Sequence, residues 1–228
     1  MAARPGVEPA APPRTAERPQ GLEEAAALWW REEVTERTLR RDGRRWTAWT
    51  VAIVFVFATP GVVLLAISPW TFPAALICFV HAWAIPWLQA GRGAKSVAPL
   101  GDADGEADRV ALGLLGDLVG HEERELLQRT GLGLQRGRLG VWLVGERGAL
   151  MVRYGGRRVD GWCVRVAEAD GLPGADRIAH LLLALREDEH GFAKVANLGF
   201  SGAAWRVRRR LPELSRRALD AARAIARR

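Results

Sequence analysis

From Trp46 to Gly91 the chain has no Asp, Glu, Lys or Arg, an interval of 46 residues. A soluble fold is excluded over that interval, because buried segments of soluble proteins alternate with charged surface, and 18 or more uncharged, mostly apolar residues already read as a membrane span. Cysteine is scarce too: there are two, Cys78 inside the uncharged interval and Cys163 in a predicted strand. They cannot reach each other, so a disulfide framework and a CxxC metal site are both ruled out, and the count suits a reducing cytosol. Of the 33 basic residues only Lys95 and Lys194 are lysine, leaving 31 arginines. With abundant Ala, Gly and Leu, that ratio reads as the bias of a GC-rich genome, so the net charge of +7 is weak evidence for nucleic-acid binding. Nucleotide and acyl-transfer motifs are missing as well. Gly131-Leu132-Gly133 lacks the third glycine of a dinucleotide fingerprint, and no phosphate loop with its lysine occurs. Gly199-Phe200-Ser201-Gly202-Ala203 has alanine where a nucleophile elbow needs its second glycine, and no histidine follows it.

What the uncharged interval does contain is a helical hairpin. One helix of that length would run roughly 69 Å, against a hydrocarbon core of about 30 Å. Pro69 and Pro73 cannot both sit in a continuous helix, so Ser68-Pro69-Trp70-Thr71-Phe72-Pro73 is the turn between spans at about 47–67 and 74–90. Six arginines (Arg31, Arg37, Arg40, Arg41, Arg44, Arg45) precede the first span, Arg92 and Lys95 follow the second, and the turn has no basic residue. The positive-inside rule then puts both ends in the cytoplasm, as a multi-pass cell-membrane protein. Trp46, Trp49, Trp83 and Trp87 make one interfacial belt and Trp70 marks the opposite side. The first twenty residues are polar and proline-rich and do not read as a signal peptide. Within the spans, Pro60-Gly61 reads as a tolerated kink and Cys78 as a small apolar filler. His81 is an intramembrane titratable group that a neutral hydrogen bond to the facing helix would satisfy.

The remaining chain divides into a disordered tail (1–21), a juxtamembrane helix (22–45), an acidic linker (92–108) carrying Asp102, Asp104, Glu106 and Asp108, and a cytosolic α+β domain (109–228). The domain opens with a helical pattern from about 106 to 129, with Gly113, Gly116 and Gly120 on the side away from Leu115 and Val119. An antiparallel meander of three or four strands follows, at 139–144, 149–154 and 159–166, with a further candidate at 132–135. Gly155-Gly156 is a two-residue hairpin turn that places Val152 opposite Val159. Trp162, Val164 and Val166 have the other parity, so a bulge at Gly161 is expected. Cys163 is expected to be a buried packing residue. Ile178, Leu181, Leu182 and Leu185 make the core stripe of a helix at 175–187, closed by Gly191. Ser201 is the expected N-cap of a helix through Arg210, and Pro212 starts a final helix whose apolar stripe is Leu214, Ala218, Ala221 and Ile225.

Chemistry-bearing patterns are few. His121-Glu122-Glu123-Arg124-Glu125 has the form HExxE, which on a helix sets His121 and Glu125 one turn apart as candidate metal ligands with Glu122 as base. A third ligand would have to be His180 or His190. No cofactor is implied. Gly105-Glu106, Val110, Leu114, Val141-Trp142-Leu143-Val144-Gly145 and Gly148-Ala149-Leu150-Met151-Val152 resemble the skeleton of the nuclease-related domain, known from bacterial proteins. That resemblance implies a restriction-endonuclease-like fold. The family's catalytic acidic and Lys positions are occupied here by Leu139-Gly140 and Arg153-Tyr154, so metal-dependent cleavage is not implied. The last segment is basic: Arg208, Arg209, Arg216, Arg217 and Arg223 are candidates for contact with anionic lipid headgroups or an acidic partner. The sequence therefore reads as a membrane protein whose non-enzymatic cytosolic domain anchors, scaffolds or regulates a partner at the inner membrane surface. Its expected partners are the bilayer, anionic headgroups, an unidentified protein and a second copy of the chain. Nucleic acid is not expected, since only Trp205 interleaves the arginines. The alternative readings are a degenerate nuclease-like domain binding nucleic acid and, after it, a metal-dependent hydrolase.

Overall fold

The computed structural model describes residues 22–101, 106–164 and 172–228. The N-terminal tail, the centre of the acidic linker and Val166 lie outside the described residues. Helix α1 (Glu23–Ala27) is short and is followed by irregular backbone before α2 (Glu36–Ile67) begins. The expected single juxtamembrane helix over 22–45 is thus corrected. The chain leaves helical geometry at Leu28, and Thr35 starts a new helix with a capping box: its Oγ1 accepts from the Thr38 N–H, and Thr38 Oγ1 accepts from the Thr35 N–H. The intervening segment is held elsewhere, because Arg31 donates to the carbonyls of Lys194 and Val195 at 2.9 and 3.0 Å. From Glu36 the helix then runs unbroken through the arginines into the apolar stretch. A 3₁₀ turn (Pro69–Thr71) leads into α3 (Phe72–Lys95). Both α2 and α3 are long and apolar enough to cross a membrane. Gly61 lets them approach closely: a Cβ there would sit 3.0 Å from the Phe79 ring. Thr50 Oγ1 meets Gln89 Oε1 at 3.2 Å across the pair. His81 does not bond the facing helix; its Nδ1 lies 2.8 Å from the carbonyl of Ile77 on its own helix, and its ring stacks on Phe57.

The rest of the chain is a mixed helix and sheet domain. Helices α4 (Glu106–Leu118) and α5 (His121–Thr130) replace the one helix expected from 106 to 129, with the break at Gly120. Five strands follow the order β1-β2-β3-β4-β5, all antiparallel: β1 (Gly133–Arg136), β2 (Gly140–Gly145), β3 (Gly148–Arg153), β4 (Arg158–Cys163) and β5 (Asn197–Ala203). Between β4 and β5 come α6 (Gly174–Glu187) and α7 (Glu189–Val195), and after β5 come α8 (Ala204–Arg208) and α9 (Glu213–Ile225). Gly191 does not end α6. It lies inside α7, close to Ala25 of α1.

Both faces of the sheet are covered, which a reading with one buried face does not anticipate. Trp142, Val144, Ala149, Met151 and Trp162 pack with α4, α6, α7 and Leu39 of α2. Val141, Leu143, Leu150, Val152, Val159 and Phe200 pack with α8, α9, Ala90 of α3 and Val97 just beyond its end. Two-sided burial removes the parity conflict along β4. The β3–β4 register is regular, with Val152 opposite Val159 and Ala149 opposite Trp162. The irregularity expected at Gly161 does fall at Gly161/Trp162, but in the β4–β5 pairing: Gly161 pairs with Phe200 and Trp162 with Leu198, leaving Gly199 as the extra residue.

Further expectations are corrected. The meander of three or four strands has five, because Ser201 lies inside β5 rather than capping a helix. The open edge of β4 supplies backbone partners that override the weak strand character of Asn-Leu-Gly-Phe-Ser-Gly-Ala. Cys163 is exposed, because alternation buries Trp162 beside Trp142 and leaves the last position of β4 beyond the cover of α3. The buried stripe of α9 is Ser215, Ala218, Leu219 and Ala222, continued by Ala226, while Leu214 is 52% exposed. The segment after α3 is not a free linker at its start, since Ser96 and Val97 are buried and the Ala98 carbonyl accepts from the N–H of Glu146.

Candidate functional site

The candidate metal residues do not converge. His121 opens α5 on an exposed face, and Glu125 is paired with Arg129 in solvent. His180 is exposed on α6, and His190 lies on α7 with its Nδ1 2.7 Å from the Val34 carbonyl. Among the described residues, no three His, Cys, Asp or Glu side chains are grouped to hold a metal. The positions where the nuclease-related motif carries its chemistry, Leu139-Gly140 and Arg153-Tyr154, lie at the start of β2 and the end of β3 and its turn.

The structure does bring several of the tryptophans and arginines to one place, the junction of the hairpin and the domain. Arg45, Trp46 and Trp49 of α2 line an open groove with Gln89 and Arg92 of α3. The Trp83 and Trp87 rings meet at a tilt with centroids 5.7 Å apart, and the Thr50–Gln89 contact sets Trp87 within about one turn of Trp49, with Trp83 about 6 Å further from the domain. Trp70, 93% exposed, caps the far end of the hairpin.

Helix α8 docks against this end. The Arg206 guanidinium donates to the Pro86 carbonyl at 2.7 Å, and burial pushes its pKa below the ordinary value. Arg210 lies over the Trp87 ring at 3.6 Å, a cation–π contact. Phe200 of β5 sits directly on Gly93 of α3, and Trp46 packs on Phe200. On the other side, Arg158 of β4 donates to the Gly43 carbonyl (2.8 Å) and to Thr47 Oγ1 (3.2 Å) of α2.

The candidate lipid-contacting arginines are used unequally. Arg208 makes a two-pronged pair with Asp220, whose hydrogen bond and charge hold the Asp220 carboxyl below its ordinary pKa. Arg223 donates to the Gly156 carbonyl, Arg216 to that of Leu211, and Arg217 to Glu213. Arg209 stacks on Trp205, which is 55% exposed on α8 beside the hairpin end.

A second concavity was not legible in the sequence. It opens where the first turns of α2 meet the β1–β2 and β3–β4 turns, with a volume of about 430 Å³. Five arginines reach it: Arg40, Arg138, Arg153, Arg157 and Arg158. Arg40 stands 98 positions before Arg138, so no local pattern joins them. Comparison with protein-family models, curated proteins and solved structures finds no match to this chain.

Proposed function

We propose that the chain is a two-span membrane protein, both ends cytoplasmic, whose domain acts without catalysis as a platform anchoring or regulating a partner at the inner membrane surface. The observation that carries this reading is the way the domain is built around one end of the two apolar helices. Phe200 rests on Gly93, Arg210 on Trp87, and Arg158 reaches the α2 backbone, so the sheet stands at a fixed height above the tryptophan-rich end. A domain tethered only for enrichment at a membrane needs no such seam. Trp205 with Arg209 on α8, next to that end, offers an aromatic and a cation for anionic headgroups, where each nearby charge is worth about 1 kcal/mol. A second copy of the chain and an acidic protein remain the other partners this surface fits.

The test is a set of fusions to a reporter enzyme that is active only outside the cytoplasm. A fusion after residue 228 should be silent, and an insertion at Trp70 should be active. Activity at residue 228 would mean that one helix alone crosses, and the platform reading would fail.

A further inference from the structure

The concavity between α2 and the sheet turns gathers more guanidiniums than the carboxylates around it balance. We propose that it is a binding site for a phosphate-bearing anion with at least two charged groups, either a free phosphorylated small molecule or the phosphorylated headgroup of a lipid.

Its volume lies within the range of about 300 to 1,000 Å³ usual for small-ligand sites. Its walls combine apolar surface from Leu39 and Leu139 with Tyr154, five guanidiniums and a single carboxylate, Glu36. Two of the five guanidiniums have carboxylate partners within the protein. Arg40 pairs with Glu36, and Arg153 makes a two-pronged pair with Asp160, which is 0% exposed. Among the described residues, no carboxylate lies within ion-pair distance of Arg138, Arg157 or Arg158. Glu189, which approaches the backbone beside Arg138, is already taken by the N–H groups of Arg138 and Leu139 and by the Trp142 indole.

The geometry concentrates the excess. A Cβ on Gly43 would lie 3.1 Å from both terminal nitrogens of Arg153 and 3.1 Å from Nη2 of Arg158, so the two guanidiniums converge on the same bare stretch of α2. Arg158 Nε is buried with no hydrogen-bond partner. Its pKa is pushed below the ordinary value first by burial and then by the charge of Arg153, while Asp160 acts the other way. Desolvated like charges with an unused donor cost stability unless an anion supplies the missing acceptors. Planar guanidiniums suit phosphate oxygens in particular, because each presents a fork of donors. On α2 the lining residues precede Trp46 by 6 to 10 positions, or about 9 to 15 Å along the helix, within reach of an extended headgroup and also of the cytosol.

Calorimetric titration of the full chain, purified in detergent, with sodium pyrophosphate and with a short-chain, water-soluble phosphatidylinositol bisphosphate distinguishes the sources. The first arm does not depend on the proposed topology. Saturable one-site binding of pyrophosphate indicates a free ligand, and binding of the lipid alone indicates a headgroup. Arg138 and Arg157 are exposed, so the double substitution R138Q/R157Q should leave the fold intact and weaken binding at least tenfold. The pair R216Q/R217Q on α9, outside the site, should change it less than twofold. Absence of saturable binding by either probe, or an equal loss in the two double variants, would overturn the proposal.

Discussion

Gly91 and Gly93 stand two positions apart in α3 and differ sharply in what a side chain would meet. At Gly91 a Cβ finds no atom within 4 Å, whereas at Gly93 it would lie 2.7, 2.8 and 2.9 Å from Cγ, Cδ1 and Cβ of Phe200. Those atoms are at the root of the ring, which has Trp46 on one side and is fully buried, so the ring cannot swing away. Overpacking of this kind costs about 1–3 kcal/mol, while Gly to Ala in an open helical position is neutral or stabilising by up to about 1 kcal/mol. Gly93→Ala should therefore lower the thermal midpoint of the full chain and Gly91→Ala should not. Equal midpoints for the two variants would show that the seam between α3 and β5 is looser than these distances imply. The same local contrast explains why Cys163 and Trp162 have opposite fates: adjacent positions on β4 face different layers, and only one of those layers extends to the strand's end.

At the scale of elements, α9 is held by the face that its small residues define. Leu219 is fully buried between that helix and β2, and truncation to alanine should cost about 2–5 kcal/mol. Leu214→Ala, at an exposed position, should cost little. Denaturant unfolding measures both, and a larger loss at Leu214 would restore the stripe expected from periodicity. Periodicity sets that stripe about one position away from the buried one because alanine and serine carry little hydrophobic signal: Leu214 and Ile225 dominate the pattern while Ser215 and Ala222 do the packing. Strands β1 to β4 were legible to within a few residues, since β-branched and aromatic runs between glycine-rich turns announce themselves. Strand β5 was not, because its residues are chosen for fit: Phe200 against Gly93, Gly202 against the Phe200 ring, Gly199 at the bulge. Neither could the arginine concavity be read, because it depends on α2 continuing as one helix past Gly43 and lying across turns encoded a hundred residues later.

At the scale of the whole molecule, the two apolar helices and the sheet domain share their cores. Leu39 of α2 belongs to the layer with Trp142 and Trp162, and Ala90 of α3 to the layer with Phe200 and Val207. Arg206 and Arg158 each donate to backbone carbonyls of the hairpin, so those donors also lose partners if the helices are removed. A fragment beginning at residue 96 would keep every strand but uncover Phe200 and part of the Trp142 layer. Exposed aromatic surface and orphaned guanidiniums at one boundary should leave it compact yet poorly packed. The expected result is a fragment that binds a hydrophobic dye and unfolds without a sharp transition, while the full chain in detergent melts in one cooperative step. If the fragment instead melts sharply and excludes the dye, the domain is autonomous. The hairpin would then be a tether and not a structural half of the protein, and the fixed height of the sheet above the tryptophan-rich end would have to come from something other than the shared core.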